Sequence, residues 1–169
     1  MDSVFRIVCT HSGLLMESQT TVPDSSYVIE LATWHDLNAL RRIEKVCFPK
    51  DAWPLLDLVG ILTFPNIIRL KAICDGQMVG FVAGDIKRSE RMAWIATIGV
   101  LPEYRGRGIG AALLRACEEK LDVPVIRLVV RQSNDSAIRL YERFGYAMMG
   151  KWRKYYLDGE DGTVMEKRV

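Results

Sequence analysis

The sequence is poor in residues that hold metals. It has two histidines, His11 and His35, and four cysteines, Cys9, Cys47, Cys74 and Cys117, none of them paired at short spacing. Zinc and similar ions are normally held by closely spaced ligand pairs, so no metal site is expected. The same scatter, in a chain of 169 residues without a secretory signature, argues against a disulfide framework. The cysteines read as reduced thiols of a cytoplasmic protein, with Cys47, Cys74 and Cys117 in apolar surroundings. Long hydrophobic runs are missing too. Nothing approaches the roughly 18 apolar residues of a membrane span, and the first residues lack a signal-peptide pattern. Charge of one sign is also lacking: 23 Lys and Arg face 21 Asp and Glu, a net charge of +2. That balance is too even to point to nucleic acid or a membrane surface as partner. There is no internal repeat and no low-complexity segment.

What is present is an ordinary globular composition, 49% apolar and 26% charged, enough for one domain with a real core. The mixed, Ser/Thr-rich stretch 1–26 reads as an N-terminal extension to a domain over 27–169. Tyr27–Ala32 is an apolar strand. Thr33 then caps a helix whose Leu37, Leu40, Ile43 and Cys47 recur at spacings of three and four, with Phe48-Pro49 as its stop. A short helix opens at Pro54 and closes before Pro65. Three strands follow over 67–75, 78–86 and 92–100, the first two joined through Asp75-Gly76, as in an antiparallel meander. Ile109–Leu121 has helical periodicity, and Pro124–Val130 is the continuous apolar run of a buried strand. Ser133–Phe144 is helical, with Gly145 as a left-handed cap. Residues 146–157 and 163–169 close the chain as a hairpin. The order is βααβββαβαββ, a mixed α/β fold with a mostly antiparallel sheet flanked by helices.

One corner concentrates glycine and arginine. Arg105–Gly110 reads RGRGIG and links the strand ending near Val100 to the helix beginning near Ile109. A helix start exposes unpaired N–H groups, and glycine lets the backbone approach a ligand closely. Aligned amides at the positive helix end favour an anion, above all phosphate. Arg105 and Arg107 add permanent charge and forked donors. The alternative is a tight turn with two solvated arginines. A P-loop needs GxxxxGK followed by Ser or Thr, which is absent. A dinucleotide loop fails on its third glycine and on the missing acid after the next strand.

The pattern Arg105-x-x-Gly108-x-Gly110 resembles the signature of the GNAT superfamily of acetyl-CoA-dependent N-acetyltransferases, and the resemblance extends from about Tyr27 to the C-terminus. It implies that Arg105, Gly106, Arg107, Gly108, Ile109 and Gly110 hold the coenzyme A pyrophosphate. It further implies that Ile98 and Val100 offer backbone groups to the pantetheine arm and acetyl carbonyl. The family's segment N-x-x-A-x-x-x-Y-x-x-x-G-(F/Y) is matched by Asn134, Ala137, Tyr141, Gly145 and Tyr146. By resemblance Asn134 meets the pantetheine and Tyr141 the thiol, as general acid; their local alternatives are a helix cap and a core aromatic.

Closer similarity is to ribosomal-protein alanine N-acetyltransferases, through IEKVCFPKDAW and WRKYYLDGEDGTVMEK. This implies an acceptor groove with Trp53, Tyr155 and Tyr156 as candidate lining. The expected activity is acetyl transfer from acetyl-CoA to a primary amine, a protein or peptide N-terminus in first place. A small-molecule amine, a lysine side chain, or coenzyme A binding without catalysis stand as alternatives. One piece is missing. Where this group usually carries a glutamate base the chain has Val129, so the base must come from Glu44, Asp51, Glu103 or a water relayed by Thr97 and backbone carbonyls.

Overall fold

The computed structural model describes residues 27–169; the extension expected over 1–26 lies outside the described residues. The domain is built on one sheet of seven strands: β1 Tyr27–Leu31, β2 Ile67–Cys74, β3 Gln77–Lys87, β4 Met92–Val100, β5 Val125–Arg131, β6 Ala147–Trp152 and β7 Gly162–Arg168. Their spatial order is β1-β2-β3-β4-β5-β7-β6. Every neighbouring pair is antiparallel except β4 and β5, the parallel pair that needs a helical crossover.

Helices cover both faces. On one lie α1 Leu37–Cys47 and α2 Leu55–Thr63; on the other lie α3 Ile109–Leu121, which makes the crossover, and α4 Asp135–Arg143. Each helix shows the sheet the stripe that its periodicity dictates. Leu40, Ile43 and Cys47 of α1 join Leu58, Ile61 and Leu62 of α2 in a cluster with Phe81, Ala96 and Leu101. Ile109, Leu113, Leu114, Cys117 and Leu121 of α3 join Ala137 and Tyr141 of α4 in a second cluster with Ile95, Ile98, Leu128 and Val130. Cys47, Cys74 and Cys117 are buried free thiols, as their apolar settings led us to expect.

The element order agrees with that read from sequence, with local differences at the ends. Residues Trp34–Asp36 form a single 3-10 turn before α1, stabilised by the Thr33 N–H donating to Asp36 Oδ2 at 2.7 Å. Pro54 lies just before α2 as its cap rather than within it. The β2–β3 hairpin turns on Asp75 and Gly76, both at positive φ, as a two-residue turn matched to strand twist requires. The closing hairpin is shorter than expected: β6 ends at Trp152, and 153–161 form an irregular excursion before β7. Among the described residues no helix is long and apolar enough to cross a membrane.

Candidate active site

The sheet is split at its centre. β4 and β5 pair only through Met92↔Val125, Ala93↔Ile126 and Trp94↔Arg127. Beyond that point β4 stays with β3 up to Val100, while β5 stays with β7 up to Arg131. A bulge at Ala96, where Thr97 opposes Ala83 and Ile95 opposes Gly84, adds local twist to β4. The parted edge of β4 is where groups on the two sheet faces can meet.

The RGRGIG loop follows the β4 arm of this split. Gly106 and Gly108 have φ of +77° and +78°, and a Cβ built on either would meet nothing within 4 Å. Their glycine identity thus serves a backbone shape that L side chains rarely adopt, and the space beside it is open. Among the described residues no backbone carbonyl takes the amides of Gly106, Gly108, Ile109 or Gly110, while the Ala112 N–H already donates to Gly108 O at 3.0 Å. The loop therefore presents the donor set of an anion site. Arg105 is half-buried and its Nε donates to Val100 O at 2.9 Å, bracing the loop against the end of β4. The Cys47 thiol donates to the same carbonyl at 3.3 Å, so the Val100 carbonyl is already engaged. Arg107 is exposed, with its guanidinium 5.1 Å from the Tyr104 ring centroid.

The β5 arm leads into α4. Asn134 is buried and caps this helix, its Oδ1 accepting from the Ala137 N–H at 3.2 Å. Its Nδ2 is buried and has no hydrogen-bond partner among the described residues. Leaving such a donor unsatisfied costs about 1–3 kcal/mol, and a ligand carbonyl would remove that cost. Capping thus uses the amide oxygen alone and leaves the amide nitrogen available to a ligand. Tyr141 is fully buried two turns along, beside Tyr146 at 5.7 Å between ring centroids. It shares the α3/α4 cluster with Ile98. An open glycine cradle, a donor-rich helix start and an orphaned buried amide fit a coenzyme A-type ligand, and Ile98 and Val100 lie on the strand between them.

The opposite face holds the ionisable groups. Glu44, on the inner stripe of α1, is only 2% exposed. Thr97 of β4 donates its hydroxyl to Glu44 Oε1 at 3.1 Å, and the Trp53 N–H lies 3.5 Å from Oε2. Burial pushes the Glu44 carboxyl up to about 7, against the lowering effect of the bonds from Thr97 and Trp53. A carboxyl poised near neutrality is suited to accepting and releasing protons.

The other acids are differently placed. Asp51 is buried but paired with Arg131, accepting from its Nε at 3.1 Å and from a terminal nitrogen. Glu103 lies exposed in the turn Pro102–Tyr104. Val129 faces the same side as Arg127 and Arg131 and is fully buried. Gly162 of β7 packs so closely here that a Cβ on it would come within 2.6 Å of Val129 Cγ1 and 3.0 Å of Tyr155 Cδ1. The position expected for a glutamate is filled by apolar packing.

Of the candidate groove residues, Trp53 and Tyr155 are half-buried against the α1/α2 cluster. Tyr156 is buried, with the Arg131 guanidinium 4.1 Å from its ring centroid. Sequence reasoning missed Trp94 and Trp152, which extend Tyr155 into an aromatic row with centroid separations of 5.6 and 5.3 Å. It also missed Arg131. The signal for that residue was its position at the end of a buried strand, where a charge has to be paired.

Comparison with known proteins gives a consistent result. The family model described as acetyltransferase (GNAT) family matches residues 37–146. An uncharacterized N-acetyltransferase of Methanocaldococcus jannaschii is 37% identical, the match covering 79% of this chain and 86% of the relative. The catalytic subunit NAA10 of the N-terminal acetyltransferase A complex of Arabidopsis thaliana is 30% identical, with 83% and 77% covered. Among solved structures, the ribosomal-protein-S18-alanine N-acetyltransferase of Escherichia coli superimposes with a TM-score of 0.78 at 27% identity, with 85% and 94% covered.

Proposed function

The chain belongs to the acetyltransferase (GNAT) family, and from that premise we propose that it transfers the acetyl group of acetyl-CoA to a protein or peptide N-terminal amine, with Glu44 as the general base. Acetyl-CoA supplies an activated thioester, so that no further activation of the acyl group is required. The amides of Gly106, Gly108, Ile109 and Gly110 hold the pyrophosphate. The Asn134 amide donates to the pantetheine arm, and Tyr141 gives a proton to the departing thiolate. The acceptor enters on the α1/α2 face, beside Trp53 and Tyr155. Glu44 receives its ammonium proton directly or through one water, while Thr97 fixes the carboxylate's orientation. The neutral amine then attacks across the parted edge of β4, where strand amides stabilise the oxyanion. Relatives named for N-terminal acetylation favour that acceptor over a small-molecule amine. The buried free thiols are in keeping with a reducing compartment such as the cytoplasm.

The observation that carries this reading is the buried Asn134 amide nitrogen without a partner among the described residues, just after β5, together with the open glycine cradle that follows β4. It is tested by thiol release from acetyl-CoA with a panel of peptide N-termini, lysine peptides with blocked N-termini, and polyamines. Turnover with free peptide N-termini is expected. Turnover confined to lysine side chains or polyamines would overturn the acceptor assignment, and acetyl-CoA binding without turnover on any amine would overturn catalysis.

A further inference from the structure

Arg131 ends β5 as a guanidinium only 6% exposed, and it joins segments far apart in sequence. Its Nε and one terminal nitrogen bind Asp51, from the turn between α1 and α2. The other terminal nitrogen binds Asp158 at 3.1 Å and Glu160 at 2.5 Å, both from the excursion between β6 and β7. Tyr156 of that excursion stacks on the guanidinium. Glu160 also accepts from the backbone and hydroxyl of Ser133, at 2.9 and 2.7 Å, tying the excursion to the turn that leads into α4. Burial opposes the charge on Arg131, yet the bonds to Asp51, Glu160 and Asp158 hold its pKa above the usual value.

Such a cluster is an expensive way to hold two loops. Well-packed apolar side chains serve stability as well or better than buried ion pairs, whereas a forked guanidinium fixes direction as well as distance. Asp51 sits two positions before Trp53. The Trp53 N–H is one of the two groups that act on the Glu44 carboxyl, the other being Thr97 on β4. On the opposite arm, Asp158 and Glu160 follow Tyr155, which packs against Gly162 of β7 and borders the aromatic row. The arms of Arg131 therefore reach the segment that hydrogen-bonds the base and the excursion that carries the facing aromatic wall.

We propose that Arg131 is a positioning residue for acetyl transfer, setting the Trp53 segment beside Glu44 and the Tyr155 wall in one fixed geometry for the acceptor. The proposal rests on the functional reading above. It assigns Arg131 no contact with either substrate.

The test compares wild type with Arg131→Met and Arg131→Lys, using whichever amine the wild type acetylates. Met is expected to raise the acceptor KM about tenfold, the scale of a small misplacement near reacting groups, with acetyl-CoA KM unchanged. It should also move the acidic limb of the rate profile upward, because a loosened Trp53 amide no longer favours the ionised carboxylate. Lys retains the charge but not the fork and is expected to recover less than half of the lost kcat/KM. If the Met variant fails to fold, Asp158→Asn and Glu160→Gln release the excursion alone; they should raise the acceptor KM without moving the limb. A folded Arg131→Met protein with unchanged acceptor KM and limb, losing only kcat or thermal stability, would overturn the proposal. A wild type that acetylates lysine side chains instead of N-termini would sink the acceptor assignment and leave this comparison to be run on that acceptor. A wild type inactive on every amine would overturn both.

Discussion

Glu44 and Asp51 are both buried carboxyls, on neighbouring segments of the α1/α2 face, and they do opposite things. Asp51 meets the Arg131 guanidinium through two nitrogens and belongs to an ion cluster that ties loops together. Glu44 meets a hydroxyl and a backbone amide, with no cation among its partners in the described residues, and burial raises it to about 7. Similar burial thus goes with a loop-tying ion cluster in one case and with a carboxyl pushed toward neutrality by desolvation in the other. What separates them is the partner.

Breaking the contrast at Glu44 is expected to have the largest effect. Glu44→Gln keeps the shape, and its carbonyl oxygen can accept from the Trp53 N–H while its NH2 donates to the Thr97 hydroxyl, but it removes the proton acceptor. It should lower kcat by about 10²–10³-fold, within the usual range for loss of a general base, as read by thiol release. The sign for stability is the reverse. A carboxyl whose folded pKa lies above its unfolded value of 4.5 contributes most below the unfolded value and loses that contribution as pH rises through about 7. At pH 8 the wild type has to bury an ionised Glu44, so the Gln variant should be more stable by up to about 3 kcal/mol, measured by urea unfolding at pH 5 and 8, with the difference shrinking at pH 5.

Asp51→Asn sharpens the same comparison from the other side. Leaving Arg131 without its main partner should cost about 3 kcal/mol of stability, visible as a lower urea midpoint, while an acidic limb persists. Loss of that limb in Asp51→Asn would exchange the roles of the two acids.

Smaller effects are expected on the cofactor face. Tyr141→Phe should lower kcat by about 10²-fold, the low end for loss of a general acid, with acetyl-CoA affinity unchanged; unchanged kcat would make Tyr141 a packing residue. Gly108→Val forces a β-branched side chain into positive φ and fills the cradle. Acetyl-CoA affinity should fall about tenfold, since loss of roughly 1–2 kcal/mol is typical of one misplaced charge-assisted contact; calorimetry checks this. Arg107→Ala, at an exposed position, should raise the acetyl-CoA KM only a few-fold, and less at high salt because solvent screens such charges.

The two faces also differ in how well the sequence foretold them. The cofactor side rests on local devices: positive-φ glycines at a helix start, and a helix whose cap and second turn carry Asn134 and Tyr141. Such features are encoded within one or two turns of chain, so spacing alone pointed to an anion site and resemblance supplied its ligand. The strand order β2-β3-β4 likewise follows from short turns between consecutive strands. The acceptor side depends on contacts across 53 positions for Glu44 with Thr97 and 80 for Arg131 with Asp51, and no local pattern selects a partner at that range. Glu44 was one of several acids considered. Its distinguishing mark was its place four residues after Leu40 and three before Cys47, inside the buried stripe of α1 rather than on the charged face with Arg41, Arg42 and Lys45. Val129 marked where the usual base is absent, but only packing reveals Tyr155 and Gly162 occupying that space.

The most direct test of the account is the pH dependence of kcat at saturating acceptor and acetyl-CoA, measured for wild type and Glu44→Gln. The wild-type rate should fall below about pH 7, as the Glu44 carboxyl becomes protonated. The variant should lose that limb and run flat at a much lower rate. A Glu44→Gln enzyme that keeps the wild-type rate and the same limb would contradict the assignment of Glu44 as the base.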